Sequence, residues 1–189
     1  MTPVRYLRNE FLLPVACLLV AACAEETPEA VKPDIPGCSA DGYLTTALYG
    51  AIEAGIDWPA GNLTCEGMPR PEGEGARLRF SGPVLDAQDE HTVALIFGIP
   101  DLTEGATASE LPTNVTLVQE GAGRFFGTRD TDGCWTDVTS HDLLAAETAS
   151  YQISGKVYCV SPLAELNGNA SVNFTELSFS GQIRWELPE

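Results

Sequence analysis

Apolar side chains recur at every second position through much of this chain, and that period limits what it can fold into. A period of two puts alternate side chains on opposite faces of a strand, whereas a helix repeats every 3.6 residues. Residues 76–82 (ARLRFSG) show the pattern cleanly, with Leu78 and Phe80 on one face and Arg77 and Arg79 on the other. Residues 92–99 (TVALIFGI) place Val93, Leu95 and Phe97 together. Residues 151–160 place Tyr151, Ile153, Val157 and Cys159 inward, and 176–186 place Leu177, Phe179, Ile183 and Trp185 inward. Further strands are expected at 63–66, 113–119, 123–129, 134–138 and 171–174.

Glycine, proline, asparagine and aspartate clusters separate these runs and supply the turns. Residues 67–75 and 101–111 read as loops, and 140–150 as room for one helical turn. Glu120-Gly121-Ala122 reads as a hairpin connection. Asp130-Thr131-Asp132-Gly133 reads as a tight hairpin turn leading into the strand at 134–138. Residues 42–58 (GYLTTALYGAIEAGIDW) are ambiguous. Leu44, Ala47, Leu48, Ala51 and Ile52 fit a helical stripe, but paired threonines and repeated glycine weaken a helix. The alternation favours one long strand bent at Gly50. About eight short strands with little helix predict an all-β domain, an antiparallel β-sandwich or barrel-like fold.

One pattern recurs three times: apolar-Ser-Gly-x-apolar, at Phe80-Ser81-Gly82-Pro83-Val84, Ile153-Ser154-Gly155-Lys156-Val157 and Phe179-Ser180-Gly181-Gln182-Ile183. Glycine inside a strand marks a bulge or a close backbone approach.

The N-terminus is of another kind. Arg5 and Arg8 precede a twelve-residue apolar run at 11–22 (FLLPVACLLVAA). A helix needs about 20 apolar residues to span a bilayer, so this run is too short and fits a secretory signal. It ends in Leu19-Val20-Ala21-Ala22-Cys23, which resembles the lipobox of bacterial lipoproteins, with Val20 where leucine is usual. The resemblance implies lipid on Cys23, attachment to a membrane and a place in the bacterial cell envelope. Ala24 rather than aspartate after the cysteine implies the outer membrane. Cys17 fits less well, because Pro14 stands three residues before it. The competing reading is an ordinary cleaved signal at Ala22-Cys23-Ala24. Residues 24–37 (AEETPEAVKPDIPG) are acidic and hold Pro28, Pro33 and Pro36, which predicts a disordered tether. The expected divisions are 1–22 signal, 23–37 lipidated cysteine and tether, and 38–189 β domain. With the late Tyr151-Gln152-Ile153-Ser154-Gly155 strand, this layout resembles small β-rich surface lipoproteins, including the mycobacterial lipoprotein antigen type.

Of six cysteines, Cys17 would leave with the signal and Cys23 would carry lipid, so Cys38, Cys65, Cys134 and Cys159 remain. An even number in an exported chain predicts disulfides. Of three pairings, Cys38–Cys65 and Cys134–Cys159 are favoured, because each joins segments close in sequence. No C-x-x-C pair supports zinc.

The chain carries −17 formal charge, and loss of the signal, itself net +1, would leave −18. Such a surface repels nucleic acid and anionic headgroups. Arg70, Arg77 and Arg79 form the one local basic patch, a candidate anion site whose alternative is pairing with acidic residues nearby. Asp130, Asp132 and Asp137 suggest a loose cation site. The EF-hand pattern fails, with Cys134 following Gly133 and His141 at the twelfth position. No cofactor is expected. His91 and His141 read as surface residues, Ser140-His141-Asp142 cannot form a triad by itself, and no G-x-S-x-G elbow exists. No catalytic residue is assigned. Trp58 and Trp185 are expected in the core, and Trp135 outside, where it could stack on sugar. The expected function is a non-enzymatic binding or structural domain at the membrane surface, with a protein or glycan partner. A ligand or glycan carrier and a hydrolase using acidic residues are the alternatives.

Overall fold

The computed structural model describes residues 38–71, 74–85, 90–129 and 133–186. The expected signal, Cys23, the tether, Asp130 and Asp132 lie outside these. The described residues form thirteen strand segments and two single 3-10 turns. In chain order the strands are β1 Tyr43–Gly50, β2 Ala54–Pro59, β3 Thr64–Pro69, β4 Ala76–Leu85, β5 Glu90–Ile99, β6 Ala108–Pro112 and β7 Asn114–Gln119. They continue as β8 Arg124–Gly127, β9 Cys134–Ala145, β10 Ser150–Cys159, β11 Leu163–Glu165, β12 Ser171–Phe174 and β13 Leu177–Arg184. The 3-10 turns are Ala60–Asn62 and Ala146–Thr148. The all-β, antiparallel reading is correct.

The strands form one antiparallel sheet, ordered β3-β4-β5-β7-β8-β11-β12-β1-β13-β10-β9-β6, with β2 on β1. It is open, since no pairing joins β2 to β3 among the described residues. The count exceeds eight because long strands break at corners. β12 and β13 both pair with β1, in registers that differ by one residue across Thr175 and Glu176. β11 and β10 follow that path on its far side, pairing β12 and β13. β8 and β9 lie along β11 and β10 in turn. Corners of this kind let one sheet fold over itself and enclose a core.

That core is continuous. Phe80 and Phe97 lie 5.5 and 5.9 Å from Phe179 on the opposite layer. Leu44, Leu78, Leu95, Leu117, Phe126, Ile153 and Val172 fill the space around them, all at most 1% exposed. Alternation set these positions, as expected for Leu78, Phe80, Val93, Leu95, Phe97, Leu177, Phe179 and Ile183.

The Ser-Gly repeat has a packing role. A Cβ on Gly181 would sit 2.8 Å from the Phe80 ring, and one on Gly82 would sit 2.7 Å from the Trp58 indole. Both glycines are therefore places where an aromatic ring lies directly on backbone. Gly155 sits at a register shift in the β9–β10 ladder, with Phe179 against it. Two of the repeats also face each other, with Ser154 opposite Ser180 and their hydroxyls 2.8 Å apart.

Both disulfides form as paired above, Cys38–Cys65 and Cys134–Cys159, with Cα separations of 5.0 and 4.0 Å. The first ties the segment before β1 to β3, and the second ties β9 to β10 across one ladder position. Each closes a loop of 27 or 25 residues, which stabilises by about 3.5 kcal/mol on the chain-entropy account.

Several expectations are corrected. Residues 42–58 are not one bent strand but a hairpin, β1 turning back into β2 with Leu48 opposite Ala54. Gly50 takes φ of +101° at the end of β1, a value that favours glycine. Residues 101–111 are not all surface loop, because Leu102 is buried and β6 pairs with β9. β9 does not return on β8. It pairs with β6 and β10, while β8 pairs with β7 and β11. The segment read as a helical turn is mostly β9, with a single 3-10 turn at its end.

Candidate functional site

The three arginines do not assemble into one anion site. Arg77 and Arg79 share the outer face of β4, as expected. Arg79 donates to the Glu120 carboxylate at 2.6 Å. Glu120 follows β7, so the ion pair spans the outer face of β5. Arg70 instead donates to the Glu74 carbonyl, within its own loop. Pairing with acidic neighbours therefore describes Arg79.

Asp137 is on the outer face of β9. Its Oδ1 accepts the Glu110 backbone N–H at 2.7 Å, and Lys156 stands opposite it in the ladder. Among the described residues no group of three or more His, Cys, Asp and Glu is arranged to hold a metal ion.

His141 is not a surface residue: it is 7% exposed. A one-residue bulge is the cause. Val138 pairs with Gly155 and Ser140 with Ser154, so Thr139 is the extra residue, and His141 falls opposite inward Ile153. Its Nδ1 lies 3.0 Å from the Ala106 carbonyl, and its Nε2 accepts the Trp185 indole N–H at 3.1 Å. An indole N–H only donates, so Nε2 is unprotonated and the proton sits on Nδ1. Burial holds the imidazole pKa below its usual value, against the pull of the Ala106 carbonyl, Glu104 and Asp142. The Tyr151 ring meets His141 edge-on at 4.9 Å and its hydroxyl donates to Glu104. This cluster latches the segment before β6 to β9, β10 and the C-terminal Trp185. With both ring nitrogens occupied, His141 is not poised as a general base. His91 stands on β5, opposite Val84.

Of the tryptophans, Trp58 is buried and donates to the Pro83 carbonyl at 2.7 Å. Trp185 is half-buried against His141. Trp135 faces outward, directly across β9–β10 from Tyr158, with ring centroids 6.0 Å apart and planes at 26°. Neither ring is buried. The Tyr158 hydroxyl pKa is raised, first by desolvation and then by Asp137 and Glu110. Tyr158 was missed in the sequence, where only its neighbours Val157 and Cys159 are placed, both inward.

No family model, curated protein or solved structure matches the chain.

Proposed function

We propose that this chain is a lipid-anchored protein of the bacterial cell envelope, whose disulfide-stapled β domain acts by binding rather than catalysis. The observation that carries this is the division of its cysteines. Cys38, Cys65, Cys134 and Cys159 are consumed in two local disulfides. That leaves Cys17 and Cys23; Cys17 would leave with the signal, and Cys23, at the end of the lipobox-like run, would accept the lipid. Structural disulfides fit an oxidising compartment, which is where export would deliver the chain. A diacylated or triacylated cysteine would hold it stably, since anchoring takes two or more chains. The acidic domain would then be repelled from anionic headgroups and carried off the surface on the segment after Cys23.

The test is metabolic labelling with palmitate in a bacterial host. The wild-type chain should be labelled and sediment with membranes, and Cys23→Ala should be neither labelled nor sedimented. Label that persists in the Cys23→Ala chain, or a soluble unlabelled wild type, defeats the proposal.

A further inference from the structure

We propose that the outer face of the β9–β10–β13–β1 layer is a platform for a neutral, pyranose-based polysaccharide. The proposal deepens the envelope-binding reading and rests on it only for where such a polymer would be met.

Trp135 and Tyr158 form the anchor. They occupy one cross-strand row on the face turned away from the core, which is filled by Thr136 and Val157 on the other side. Both rings have a negative π face and a polar edge, and both lose little conformational freedom on contact. The partly positive C–H face of a pyranose ring complements the first property, and its hydroxyls complement the second. The next row along the ladder is polar, with Asp137 opposite Lys156 and Lys156 opposite Ser178. The row beyond that pairs Ser154 with Ser180, which is buried and bonded to Ser154 and Gln152, and ends on Tyr43, 39% exposed on β1. The groups open to a sugar are therefore those of Asp137, Lys156 and Ser178. Tyr43 is roughly 16 Å from the Trp135–Tyr158 pair by strand rise and spacing. The face thus offers rings at two ends and directional donors and acceptors between them, which suits a chain of sugars rather than one.

Charge selects among polymers. The one lysine of this patch, Lys156, stands opposite Asp137, and its Nζ is already 2.8 Å from Glu176. On a chain of net −17 this disfavours uronic-acid polymers and nucleic acid. A neutral glycan needs no counter-charge and can still use the carboxylates as acceptors for its hydroxyls.

The full chain, purified in detergent, would be sedimented with microcrystalline cellulose, chitin and insoluble mannan, with soluble polygalacturonate and poly-lysine as charged competitors. The expected result is retention on at least one neutral polymer, undiminished by either competitor. Trp135→Ala and Tyr158→Ala should each weaken retention tenfold or more, and Phe125→Ala, exposed on β8, should leave it unchanged. Trp135→Leu keeps apolar bulk in the row and should fail in the same way, which separates a lost ring from a lost fold. No retention on any of the three neutral polymers overturns the proposal. So does retention that survives both ring removals, or retention displaced by poly-lysine or polygalacturonate. Cys23→Ala should still bind, so this proposal and the anchoring proposal fail separately.

Discussion

Replacing Gly181 with alanine tests the packing of the core where the Phe80 ring lies on the β13 backbone. The added Cβ would lie 2.8 and 3.0 Å from two Phe80 ring carbons and 3.8 Å from the Cys65 Cβ. Phe80 has no room to retreat, because its ring is already 5.9 Å from Phe97 and 5.5 Å from Phe179. Overpacking of this kind costs about 1–3 kcal/mol. The stiffer unfolded chain offsets about 0.4–1 kcal/mol of that. The net loss should be about 1–2 kcal/mol, or a fall of about 0.5–1 M in the urea midpoint at a typical slope. Gly55→Ala is the control, since nothing lies within 4 Å of its Cβ position, and it should be neutral or slightly stabilising. Tryptophan fluorescence in urea would follow both. Phe80→Leu makes room for the new methyl, so the double variant should be less damaged than the two single losses added together, by at least about 0.5 kcal/mol. A Gly181→Ala chain as stable as wild type, or strict additivity with Phe80→Leu, refutes the reasoning.

Three further outcomes are expected. His141 titrates below its unfolded value, so the unfolded chain takes the proton first as pH drops. Its contribution is complete above the unfolded pKa and is lost as pH falls through about 6.5 toward the lower folded value. Urea midpoints should therefore decline across that window in wild type and decline less in His141→Gln. Replacing Cys134 and Cys159 together by alanine should cost about 3.5 kcal/mol, read as a lower thermal midpoint under oxidising conditions, and the two chains should match once both are fully reduced. Glu120→Gln, which breaks the partly exposed pair with Arg79, should cost less than about 1 kcal/mol, and the difference should shrink in 1 M salt.

Where side chains alternate and face one core, the sequence was legible. Leu78, Phe80, Leu95, Phe97 and Phe179 could be placed inward without a structure. The disulfides were legible because each joins segments close in sequence, 27 and 25 residues apart. Three features were hidden for physical reasons. The β1–β2 turn keeps parity, so Leu48, Ile52 and Ile56 read as one uninterrupted strand while the chain reverses between them. The bulge at Thr139 switches parity, and counting from Cys134, Thr136 and Val138 puts His141 outside when it is inside. Its partners, the Ala106 carbonyl and Trp185, are 35 and 44 residues away. β6 has one buried residue, Leu111, and so leaves almost no alternation to read. The Asp-Gly signal at 132–133 predicts a hairpin, yet β8 and β9 run on in one direction along β11 and β10, and no local pattern says so. Of the candidate site, Trp135 was legible as outward, whereas its pairing with Tyr158 depends on the β9–β10 register.

The most direct test of the anchored-domain account is the mass of the mature N-terminal peptide from membrane-extracted protein. The account predicts a peptide that begins at Cys23 and carries a thioether-linked diacylglyceryl group, with Cys38 recovered in a disulfide to Cys65. An unmodified peptide beginning at another residue, or Cys23 found in a disulfide, would contradict it.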